Sequence, residues 1–121
     1  MASILVIDDD EKIRKLFRSF LESEGYEVTV APDGKQGVLK YKSNPTDLII
    51  MDIIMPEKGG IQAMMELRQV FREVKLIAIS GGGQIQAEDY LIIAKNLGAM
   101  RTLSKPIQRS DLLKTVRELI G

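Results

Sequence analysis

The stretch Asp47-Leu48-Ile49-Ile50-Met51-Asp52-Ile53-Ile54-Met55-Pro56 decides how the rest of the chain is read. Leu48 to Met51 are apolar without a break, whereas a strand wetted on one face would alternate. The run therefore predicts a strand covered on both sides, as in the middle of a parallel sheet. A carboxylate, Asp52, closes it. A charged group at the end of an apolar segment costs free energy unless the fold uses it, which makes Asp52 the first candidate functional residue.

Outward from this strand, short β-rich runs alternate with longer helical patterns. Ser3 to Ile7 reads as a buried strand, followed from Ile13 by Leu16, Phe17, Phe20 and Leu21 at helical spacing, with Gly25 as the stop. Tyr26 to Val30 alternates like a strand near a sheet edge. Asp33-Gly34 opens a helix through Val38, Leu39 and Tyr41, closed by Asn44-Pro45. Beyond the central strand, a helix from about Gly60 places Ile61, Met64, Met65, Leu67 and Phe71 inward. Leu76 to Ile79 is a strand, about Gln86 to Leu97 a helix ended by Gly98, and Met100 to Ser104 a strand. Ser110 is the expected N-cap of a last helix carrying Leu112, Leu113, Val116, Leu119 and Ile120. Five such units predict an α/β, doubly wound, five-stranded parallel sheet with five helices on both faces.

The 121 residues, 45% hydrophobic and 28% charged, fit one soluble domain spanning residues 1–121. Lys plus Arg and Asp plus Glu both number 17, so there is no net field to hold nucleic acid or an anionic membrane surface. With no cysteine, disulfides, thiolate metal sites and thiol catalysis are excluded; with no histidine, so are a His-based triad and an internal phosphohistidine. Met1-Ala2-Ser3 leads into an apolar run too short for a signal peptide or membrane span, so a cytoplasmic protein is expected.

In a doubly wound sheet the loops after the strands build the site. The first strand runs into Asp8-Asp9-Asp10, the third ends at Asp52, the fourth at Ser80, and the fifth leads to Lys105-Pro106. Clustered carboxylates repel one another unless a cation neutralises them, and a donor set of oxygens alone suits Mg²⁺. An aspartate is a competent nucleophile toward a phosphoryl group, while Mg²⁺, Lys105 and the Ser80 hydroxyl would offset charge on the transferring oxygens. Asp10 reads as a helix N-cap rather than a site residue.

The segments Ile4-Leu5-Val6-Ile7-Asp8-Asp9-Asp10, Asp47 to Pro56, Ile79-Ser80-Gly81, and Leu97-Gly98-Ala99 followed by Lys105-Pro106 resemble the receiver domains of two-component response regulators. The likeness covers essentially the whole chain, in order, and implies a flavodoxin-like sheet with strand order 2-1-3-4-5. It implies that Asp52 is the phosphoacceptor, that Asp8, Asp9, Asp52 and the backbone carbonyl of Ile54 hold Mg²⁺, and that Ser80 and Lys105 contact the phosphoryl group. It further implies conformational roles at Gly81, Thr102 and Pro106, with Lys105-Pro106 cis. The phosphodonor would be a sensor histidine kinase or phosphotransfer protein, and the output a contact with a downstream protein target.

Two departures stand out. Receivers usually carry Tyr or Phe three residues before the lysine, where this chain has Thr102, so readout through the Gly81-Gly82-Gly83 loop and the helix after it is expected instead. The positions that tune phosphoryl lifetime in the family, two after the phosphoacceptor and two after the switch hydroxyl, hold Ile54 and Gly82. Neither can orient a water through a side chain, which implies slow self-dephosphorylation. Competing readings are a Mg²⁺-dependent aspartyl phosphohydrolase, which would need a different acidic motif after the first strand, and a flavodoxin-like cofactor carrier, disfavoured by 5% aromatics and no phosphate loop.

Overall fold

Every residue of Leu48–Asp52 and of Leu76–Ser80 is buried, so both faces of the sheet are covered where these strands run. The computed structural model describes residues 2–53, 60–70, 73–81, 92, 95–96 and 98–121. Its strands are β1 (Ser3–Ile7), β2 (Glu27–Ala31), β3 (Leu48–Asp52), β4 (Leu76–Ser80) and β5 (Arg101–Ser104). Its helices are α1 (Glu11–Glu22), α2 (Gly34–Ser43), α3 (Gly60–Val70) and α4 (Arg109–Ile120). The strands form one parallel sheet in the order β2-β1-β3-β4-β5, as the resemblance implies.

The period of two along each strand sorts the core into halves. Leu5, Ile7, Ile49, Met51, Leu76 and Ala78 pack with Val38 and Tyr41 of α2 and Ala63, Met64 and Leu67 of α3. Ile4, Val6, Leu48, Ile50, Ile77 and Ile79 pack with Phe17 and Leu21 of α1 and Leu112, Leu113 and Val116 of α4. Fully burying one such Leu, Ile or Phe contributes about 1.5–3 kcal/mol. This two-sided burial is why β3 and β4 carry no polar residue before their last position.

Local signals set the entries of two helices. Asp10 caps α1, its Oδ1 accepting from the Lys12 N–H at 2.8 Å, and Asp33 caps α2, accepting from Gln36 N–H at 2.8 Å. Gly25, at φ 91°, makes the turn from α1 to β2 in a backbone region that costs other residues energy. At Gly37 the helix α2 backbone lies against Ile7. A Cβ there would be 2.7 Å from Ile7 Cγ1 and would overlap Cδ1.

Some expectations are corrected. Gln108, not Ser110, occupies the α4 cap, with no side-chain cap bond; Ser110 lies inside the first turn. Met65 is 50% exposed and not on the inner face, because Met64 already fills that direction. Leu16 and Leu39 are likewise exposed on faces turned from the core. β2 begins and ends one residue later than the sequence suggests, and β5 starts at Arg101, with exposed Met100 before it. The expected helix over about Gln86–Leu97 lies mostly outside the described residues, of which Ile92, Lys95 and Asn96 are helical. Four helices are therefore seen among the described residues where five were expected. Among them no helix is long and apolar enough to cross a membrane.

Candidate functional site

The acid pocket follows from strand register. β1 and β3 are neighbours whose last paired residues are Ile7 and Met51. Asp8 and Asp52 each come one residue later, so their carboxylates leave the sheet side by side. Asp8 is 1% exposed and Asp52 4%, while Asp9, next along the loop, is exposed. One carboxylate oxygen from each of Asp8, Asp9 and Asp52 lies within 4.8 Å of the others.

The other two groups come from β4 and β5. Ser80 ends β4 and pairs with Ser104, and the Lys105 N–H donates to Ser80 O at 2.7 Å. This backbone bond anchors Lys105 at the same edge. Its Nζ donates to Asp52 Oδ2 at 3.0 Å and forms an ion pair with Asp8 Oδ2 at 2.9 Å. The lysine thus bridges two acids from different strands.

Charge and burial oppose each other here. Burial raises the Asp8 pKa above the ordinary carboxylate value, and neighbouring Asp52 pushes the same way; the Lys105 contact and the bond from Asp10 N–H only partly offset this. Burial alone would lower the Lys105 pKa, but Asp8 and Asp52 together outweigh it and leave it raised. Ser80 Oγ is fully buried and has no hydrogen-bond partner among the described residues. A hydroxyl held dry and unsatisfied is costly, which marks a group that awaits another partner.

Most of the residues singled out from the sequence thus converge. Asp8, Asp9, Asp52, Ser80 and Lys105 share one edge of the sheet. Lys105-Pro106 is cis, as the resemblance implied. Gly81 follows Ser80 directly, with open space where a Cβ would stand. Thr102 pairs with Ala78 and is half-buried. Ile54, Gly82 and Gly83 lie outside the described residues.

One contact escaped the sequence reading. Arg14, in the first turns of α1, donates from Nη1 to the backbone oxygen of Asp8 at 2.7 Å. The available signal was an arginine one helical turn beyond Asp10, in a stretch that also holds Lys12 and Lys15.

The pocket suits a hard divalent cation. Its donors are all oxygen, two acids are buried, and the three are close enough to share one ion directly or through its waters. At the same edge lie the Lys105 ammonium and a buried hydroxyl with no partner among the described residues, groups of the kind that can offset charge on a transferring phosphoryl group.

The acids, hydroxyl and lysine thus define a domain of the doubly wound parallel class, with its candidate site at the carboxyl ends of the strands. Its residues 4–117 match the response regulator receiver domain model, and the chain belongs to that family, the receivers of two-component systems. It is 35% identical over 119 residues to the chemotaxis protein CheY of Bacillus subtilis, covering 98% of this chain and 97% of that protein. It is 32% identical over 120 residues to the transcriptional regulatory protein CpxR of Escherichia coli, spanning 99% of this chain but 50% of that protein. The structure of the response regulator TrrA of Thermotoga maritima, in complex with Mg²⁺-BeF, superposes with a TM-score of 0.85 at 30% identity, covering 99% of this chain and all of that one. Receivers take a phosphoryl group from histidine kinases and act on downstream targets.

Proposed function

We propose that Asp52 is the phosphoacceptor of this receiver, that residues 1–121 form one receiver domain, and that the switch works in the cytoplasm. The observation that supports this most is the Lys105 ammonium held between Asp8 and Asp52, 2.9 and 3.0 Å from their oxygens. An Asp52 carboxylate oxygen attacks phosphorus, the bond from phosphorus to the donor imidazole breaks, and the electron pair leaves with the imidazole. With no histidine of its own, the chain takes the phosphoryl group from a partner sensor histidine kinase or phosphotransfer protein.

Asp8, Asp9, Asp52 and the Ile54 carbonyl would hold Mg²⁺, which when bound supplies charge neutralisation at the transferring oxygens. The use of a Mg²⁺ complex by the similar protein TrrA supports that choice of ion. Lys105 contacts the phosphoryl oxygens, and Ser80 gains its missing hydrogen-bond partner by donating to one of them. That gain is the driving force of the switch: a buried hydroxyl with no partner among the described residues before modification becomes satisfied after it. The movement passes to Gly81 and the loop after it, with Thr102 in the place of a swinging ring and Pro106 fixing the turn beyond Lys105. A downstream protein reads it on the side of β5 and α4.

The chain is a signalling domain, and Mg²⁺-dependent self-phosphorylation from a small donor is its proposed chemistry. Mass spectrometry after incubation with acetyl phosphate and Mg²⁺ should show one added phosphoryl group on the wild type and none on Asp52→Asn. Equal labelling of both proteins would overturn the assignment. With Ile54 and Gly82 unable to orient water, the label should persist for many minutes after the donor is removed, and its loss within seconds would refute that part.

A further inference from the structure

We infer that Arg14 is a positioning residue of the acid pocket, acting through the peptide that joins Asp8 to Asp9; this rests on the metal-binding reading of those acids given above. Besides the ion pair with Lys105, three hydrogen bonds among the described residues hold Asp8. Its N–H donates to Ala31 O at 3.1 Å, its Oδ1 accepts from Asp10 N–H at 2.9 Å, and its backbone oxygen accepts from Arg14 Nη1 at 2.7 Å. The first is part of the β1–β2 edge, and the second is local to the turn. The third alone ties the turn to a side chain of α1.

The carbonyl that Arg14 grips belongs to the same rigid plane as the Asp9 N–H. Holding that plane sets two things together. It fixes the backbone from which the Asp9 carboxylate projects, and it keeps Asp8 turned so that Oδ1 meets the Asp10 N–H and Oδ2 points into the pocket. Arg14 suits the task. Its own N–H is bonded to Asp10 O at 3.0 Å inside the α1 ladder, and its side chain is half-buried, so the guanidinium is held on a rigid element. A guanidinium bond to a carbonyl is charge-assisted and therefore strong. The exposed arginine one turn on, Arg18, pairs instead with Glu22 at 3.4 Å and, among the described residues, has no tie to the acids.

Geometry and charge make opposite predictions, which gives the test its edge. A cation beside a cluster of acids repels a dication, so deleting it should tighten Mg²⁺ binding if charge is all that matters. Loss of positioning should weaken binding, and partners that orient metal ligands typically matter by on the order of tenfold. Calorimetric titration of MgCl₂ into metal-free wild type, Arg14→Gln, Arg14→Lys and Arg18→Gln separates these. The expected result is binding weakened on the order of tenfold in Arg14→Gln, weakened also in Arg14→Lys despite its retained charge, and not weakened in Arg18→Gln. The Asp9 amide resonance of the metal-free protein should shift in both Arg14 variants. Mg²⁺ binding by Arg14→Gln as tight as wild type, or tighter, overturns the inference. If Arg14→Gln does not fold, Arg14→Lys decides alone: weaker binding supports the role and unchanged binding overturns it. A wild type that binds no Mg²⁺ would instead overturn the reading of the acids themselves.

Discussion

The Lys105 ammonium stands 2.9 Å from Asp8 Oδ2, bringing a residue just past β5 against one just past β1, two strands that are not neighbours in the sheet. The pair is dry on the acid side, where Asp8 is 1% exposed. Burial nevertheless keeps the Asp8 pKa raised, so the native state holds its proton more tightly than the unfolded chain does. Stability from this group is therefore greatest below the unfolded carboxylate pKa and declines as pH rises through the higher folded value.

Asp8→Asn should remove that decline. In the absence of divalent ions its thermal stability at neutral pH should exceed wild type by about 1 kcal/mol, and the gap should close as pH falls below the carboxylate range. Thermal denaturation across pH 3 to 8 measures it. A variant less stable than wild type at pH 7 would contradict the burial argument.

Lys105→Met should act in the other direction. It strands two buried acids without their cation, at a cost of about 2 kcal/mol at neutral pH. Mg²⁺ should then restore more stability to the variant than it adds to wild type, while phosphoryl transfer slows. The lysine pKa is raised, so the wild-type advantage should persist through neutral pH and fade only in strong alkali, above the unfolded lysine value. Melting curves with and without MgCl₂ check both statements.

Ser80→Ala deletes a hydroxyl that has no partner among the described residues. The unmodified protein should lose no stability and could gain up to about 1 kcal/mol. Affinity for a phosphate mimic such as beryllofluoride should fall, since the bond made only in the modified state is gone. A destabilised variant with unchanged mimic binding would reverse the assignment.

Gly37→Ala should destabilise by about 1–3 kcal/mol, because the new methyl enters the space of Ile7 Cγ1 at 2.7 Å in a filled core. Mg²⁺ binding of the folded fraction should be unchanged. Chemical denaturation compared with calorimetry separates the two effects.

Much of this was legible in advance because the signals are local. Leu48–Met51 announces a two-sided core by its unbroken apolarity, and each acid or hydroxyl falls where such a run stops. Asp10 and Asp33 read as caps because capping is a matter of a few bonds along the chain. The misplaced features have equally local causes. Ser110 carries the favoured cap residue, yet α4 starts earlier, since Gln108 leaves the chain extended and the packing of Leu112, Leu113 and Val116 sets the helix phase. Met65 is as apolar as Met64, and only the direction of the helix face separates them.

The amino-acid sequence by itself determined the alternation of strands and helices and the identities of the groups at the carboxyl edge, because hydrophobic period and turn chemistry act over a few residues. Only the tertiary structure decided that Lys105 bridges Asp8 and Asp52, that the Ser80 hydroxyl is buried without a partner among the described residues, and that Arg14 grips the Asp8 carbonyl. Those relationships join segments far apart in the chain, or turn on the rotamer of one long side chain. Distances of that kind are set by register and packing, which no spacing along the chain encodes.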